Sequence, residues 1–133
     1  MAAYTHTLLT LPGLRANSTG LATAQFKIGK LASTAGQVVL CATSVFAGNI
    51  VGVIQNSPGA LEEVEFAVLG VTKLLVSTST IKIGDVVGCN TASLGTDGGT
   101  TDNGALVGKA LTDATATTGD IISVLLIPGG WRY

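Results

Sequence analysis

Charge is scarce in this sequence. Only 11% of the 133 residues are Asp, Glu, Lys or Arg, against about 25% in ordinary soluble domains. Seven basic residues with no basic run make a poor phosphate-backbone binder. There is one histidine, His6. That excludes Ser-His-Asp and Cys-His catalysis unless His6 supplies the base, and it excludes multi-histidine metal sites. The two cysteines, Cys41 and Cys89, form no CxxC and no disulfide framework. They read as buried thiols in a reducing compartment. Aromatics are 5% of the chain, too few for a sugar-binding cleft around Glu63 and Glu65, which read as a solvated strand face. No long uninterrupted apolar run exists. Val38 to Ile54 is broken by Thr43, Ser44, Gly48, Asn49 and Gly52, so two short strands and a turn explain it better than a membrane span. Met-Ala-Ala-Tyr-Thr-His lacks a basic n-region, so no signal peptide is expected.

What is present is small and apolar. The hydrophobic fraction is 47%, with 18 glycines. This is too apolar for a disordered chain, and the length is that of one domain. A charge-poor surface suits a protein packed against neighbours, since a free monomer normally keeps charge for solubility.

Residues 1–20 read as an extended N-terminal arm. Thr5, Thr7 and Thr10 interleave with Leu8, Leu9 and Leu11, and Pro12-Gly13 and Asn17-Ser18-Thr19-Gly20 break the run. Residues 21–133 read as an all-β domain, a small barrel or sandwich of short strands. Val38–Ala42, Asn49–Gln55, Val71–Val76, Asp85–Gly88, Ala105–Leu111 and Asp120–Ile127 are strand-like. From Glu63 to Val68, alternation puts Val64, Phe66 and Val68 on one face and Glu63, Glu65 and Ala67 on the other. Gly70 reads as a bulge. Asn56–Gly59 and Gly95–Gly99 read as turns, and Asp85 and Asp120, each after a glycine, as side-chain caps.

An internal pseudo-repeat joins units of about 35–76 and 83–128. Ala35–Thr43 aligns with Ile83–Thr91 at five of nine positions, including both cysteines, with an offset of 48. Gly48–Gly52 aligns with Gly104–Gly108, and Phe66–Leu69 with Ile122–Leu125, at an offset of 56. The eight extra residues fall within Ala92–Asn103.

No nucleophile, P-loop or dinucleotide fingerprint is evident, so no enzyme, cofactor or metal is expected. Asp97–Gly104 carries oxygen ligands without EF-hand spacing. Contact residues are the remaining candidates. Tyr4, Leu8, Leu9, Leu11 and Arg15 lie in the arm, and Trp131, Arg132 and Tyr133 in the tail. Trp, Tyr and Arg are enriched at interface hot spots. The tail is either a contact element or a cover for the chain's own barrel end. The arm either covers the chain's own sheet edge or docks on a partner, and in the second case residues 1–12 would be removable without loss of the fold.

The ordered set Ala24–Leu31, Gly36–Leu40, Gly52–Pro58, Val68–Lys73, Ile83–Val87, Val107–Leu111 and Gly119–Leu126 resembles the capsid decoration, or cement, proteins of tailed bacteriophages. The resemblance spans most of the chain and rests on the order of turns and strands. It implies a β-rich barrel-like domain, made in the host cytoplasm, that binds the outer face of a virion shell of major capsid protein. It also implies a homotrimer and no catalytic residues. Nucleic-acid and membrane partners are not expected. The Gly-rich insert near Thr96–Asp102 and the aromatic C-terminus depart from that pattern. The competing expectation is a carbohydrate-binding or adhesive β module, for which Trp131 and the Asp97–Asp102 loop are the candidate residues.

Overall fold

A computed structural model describes residues 8–41, 51–77, 80–98, 106–115 and 117–127. The protein is all-β. Among the described residues twelve strands follow in order: β1 (Leu9–Leu11), β2 (Arg15–Ala16), β3 (Ile28–Leu31), β4 (Gln37–Leu40), β5 (Val51–Ile54), β6 (Phe66–Leu75), β7 (Thr80–Ile81), β8 (Val86–Cys89), β9 (Gly95–Asp97), β10 (Leu106–Ala110), β11 (Ala114–Thr115) and β12 (Ile121–Leu126). Most form one sheet in the order β2-β4-β3-β5-β6-β12-β10-β8-β9, with β1 also on β6. β7 and β11 form a separate ribbon.

The second half of the chain closes on itself. β9 pairs with β8, and Gly95 bridges Val76 in parallel, just past the end of β6. Ser77 N donates to Gly95 O at 2.8 Å. The Gly95–Asp97 stretch, expected as a turn, is therefore a strand. A Cβ at Gly95 would lie 2.7 Å from Leu74 Cδ2, so the residue that reads as a turn former is there for close approach.

β6 organises the packing. Its first half pairs with β5 and β1 and its second half with β12. Two apolar clusters lie on opposite sides of β5 and the start of β6. Val51, Val53 and Ala67 enter the larger one, with Leu74, Val87, Val107, Ile122 and Val124. Ile54, Phe66 and Val68 enter the smaller one, with Val38, Ala16 and Val64. Val64, Phe66 and Val68 thus share a face as expected. Ala67 differs from the expectation, because it is fully buried and its face is covered by a second core rather than solvent. The even-numbered residues then change core. Phe66 and Val68 point to the smaller cluster, and Leu74 to the larger. The switch falls at Gly70, whose φ of 107° is one that side-chain-bearing residues rarely adopt.

The arm region is built into the sheet from Leu9 onward. Leu9, Thr10 and Leu11 pair with Leu69, Ala67 and Phe66, and Arg15 and Ala16 pair in parallel with Gln37 and Val38. Asp85 caps as expected, its Oδ2 accepting from Lys82 N at 2.8 Å. Among the described residues the Asp120 side chain caps no backbone amide, and its Oδ2 accepts from the Thr115 hydroxyl at 3.2 Å.

Candidate functional site: an apolar sheet face on β6 and β12

Directly opposed residues of an antiparallel pair share a face of the sheet. Val71 opposes Leu125, Lys73 opposes Ser123 and Leu75 opposes Ile121. Their inward neighbours Thr72, Leu74, Ile122 and Val124 are buried, so this set points outward. Val71 is 39% exposed, Leu125 43% and Ile121 54%. Before the switch at Gly70, Leu9 of β1 opposes Leu69, and both are exposed, but this pair lies outside the Val71–Leu75 face. The smaller core covers the outer face of β6 only as far as Val68, and beyond it the strand is left bare. The result is an apolar face of Val71, Leu75, Ile121 and Leu125 in which Lys73 is the one charged member.

A groove of about 450 Å³ adjoins this face, with Leu8, Phe26 and Val71 as its apolar wall and Gln55, Thr72, Lys73 and Ser123 as its polar one. Lys73 Nζ lies 6.0 Å from the Phe26 ring centroid, at the outer limit of a cation–π contact. Gln55 Nε2 donates to the Thr72 hydroxyl at 2.8 Å. Phe26 has φ of 62°, a strained conformation for a bulky residue. Two backbone bonds fix it, Phe26 N to Ile54 O at 2.7 Å and Leu75 N to Phe26 O at 2.9 Å.

Of the contact residues expected from sequence, Leu8 is half-buried against the larger core and Leu11 half-buried against the smaller. Both spend much of their surface on the chain itself. Leu9 is 54% exposed and opposes Leu69, outside the β6–β12 face. Arg15 is exposed on β2, away from that face, and borders a separate groove with Leu14, Leu61 and Glu63. Tyr4, His6, Trp131, Arg132 and Tyr133 lie outside the described residues, as does the Asp97–Asp102 loop beyond Gly98. Sequence reasoning missed Val71, Ile121 and Leu125. The signal was available: both β6 and β12 carry large apolar residues at odd and even positions, which a half-solvated strand does not need.

Chemistry is sparse. Among the described residues no three His, Cys, Asp or Glu side chains gather into a metal-binding group. Cys89 is strongly perturbed. A hydrogen bond with the Cys41 side chain, then burial, push its thiol far above the usual range, and nearby Lys30 opposes the shift. Such a thiol is a poor nucleophile.

No protein-family model matches the chain, and no curated protein matches it.

Proposed function

We propose that the protein is a structural capsid-decoration protein. It binds the outer surface of a phage shell through major capsid protein and reinforces that shell, most simply as a trimer. The observation that carries this reading is the bare apolar face of β6 and β12 on a charge-poor β domain. Isolated exposed apolar residues need no explanation, but cross-strand pairs of them mark a contact surface. The resemblance of the strand and turn order to cement proteins points the same way. Repetition over a symmetric shell supplies avidity, so a modest contact suffices, and binding stabilises whichever state it favours by mass action.

The test is co-sedimentation with shell particles through a density gradient. The protein should travel with the particles at a copy number comparable to the shell subunit. Val71→Glu and Leu125→Glu should keep the fold and lose at least tenfold in binding. A protein that stays at the top of the gradient, or charged variants that bind as well as the parent, would overturn the reading. Heat on mixing with glycans or Ca²⁺ in a calorimeter would favour the carbohydrate-binding alternative instead.

A further inference from the structure

Cys41 and Cys89 are the chain's only cysteines, and the fold brings them together from opposite halves of the sequence. Cys41 follows β4, and its N donates to Ile28 O at 2.9 Å. Cys89 ends β8 and pairs with Gly95 of β9. The seam between the halves is closed by Ile28 N donating to Ser93 O at 2.8 Å. The two cysteines meet across that seam, where Cys89 Sγ donates to Cys41 O at 2.9 Å. The Cys41 side chain is within hydrogen-bonding reach of the same thiol. Both residues are almost fully buried in the larger core, and both are thiols in this structure.

We propose that Cys41 and Cys89 are a cross-linking site. They form an intramolecular disulfide when the folding chain or the opened core meets a low-molecular-weight disulfide. One protein thiolate attacks the small disulfide and releases one small thiolate. The second protein thiolate then displaces the other, forming the Sγ–Sγ bond. Two protein thiols are oxidised, one small disulfide is reduced to two thiols, and the protein's two protons end on those products. The bridge spans 48 positions and staples the first half of the sheet to the second. Burial and the raised proton affinity of Cys89 make the closed protein slow to react, so the site stays reduced in a reducing cytoplasm. It bridges where oxidant and time are sufficient. None of this depends on the shell reading, and the test below needs no particle.

The test compares full-length protein incubated natively with oxidised glutathione and protein refolded from urea in its presence. Each sample is then denatured with an alkylating reagent and weighed. Reduced protein takes two alkyl groups. Bridged protein takes none and is about 2 Da lighter, and a peptide joins Cys41 to Cys89 after digestion. Bridging in either arm, with a melting temperature raised by roughly 10 °C and restored by dithiothreitol, is the expected result. Cys89→Ala should show neither change. Two alkyl groups in both arms, linked dimers in place of the internal bridge, or a bridge that leaves the melting temperature level or lower would overturn the proposal.

Discussion

Two glycines show how closely the strands approach. A Cβ at Gly52 would lie 2.3 Å from Ala67 O, and one at Gly108 would lie 2.0 Å from Leu125 O. In each case the obstructing carbonyl belongs to the residue opposite the glycine's next neighbour, since Val53 opposes Ala67 and Lys109 opposes Leu125. These glycines are matched by the sequence repeat at offset 56. Their contacts on the following strand, Ala67 and Leu125, are 58 apart, so the partner strand is offset two residues further. A backbone oxygen cannot swing aside as a side-chain end can, so the strands themselves must separate. Gly52→Ala and Gly108→Ala should each cost about 3 kcal/mol or more, at the severe end for single substitutions. Urea denaturation would read this as a large drop in midpoint. A midpoint within experimental error of the parent would mean the strands separate without cost.

At the scale of the element, β1 is the informative strand. Its threonine and leucine alternation reads from sequence as an arm that either covers its own sheet edge or docks on a partner, and only in the second case are residues 1–12 dispensable for the fold. The structure assigns Leu8 and Leu11 to the chain's own cores and Leu9 to the outside. Period-2 alternation fixes which residues share a face, but it does not name what covers that face. The same limit hid the burial of Ala67, and glycine composition hid β9, because a residue that fits a turn also fits a crowded seam. Removing residues 1–12 should therefore destabilise the protein. Two point variants separate the roles. Leu11→Ala should lower stability by about 1–2 kcal/mol, from loss of a half-buried side chain. Leu9→Ala should stay within about 0.5 kcal/mol, because its side chain is mostly exposed. Chemical denaturation measures both. Equal stability losses would place both leucines in the core.

For the whole molecule, the all-β class was legible because short Val- and Ile-rich runs are punctuated by turn residues with no helical period. The apolar face was not, because exposure on β6 depends on where the smaller core stops, at Val68, which only the assembled sheet determines. Assembly also couples stability to pH through Cys89. The two halves meet at Cys41 and Cys89, and the meeting raises the proton affinity of Cys89. A thiol titrates near 8.5 in the unfolded chain. Below that pH both states hold the proton, and the folded state keeps its full stability. Above it the unfolded chain releases the proton while the native Cys89 retains it, so unfolding gains. Under reducing conditions, stability should fall above about pH 8.5 by up to roughly 1.4 kcal/mol per pH unit for this thiol. Cys89→Ala should flatten that dependence by the same amount between pH 8.5 and the onset of lysine titration near 10. Denaturation midpoints measured across this range decide it. A variant as pH-sensitive as the parent would mean that Cys89 loses its proton as readily in the fold as out of it, and that the seam between the halves is open to water.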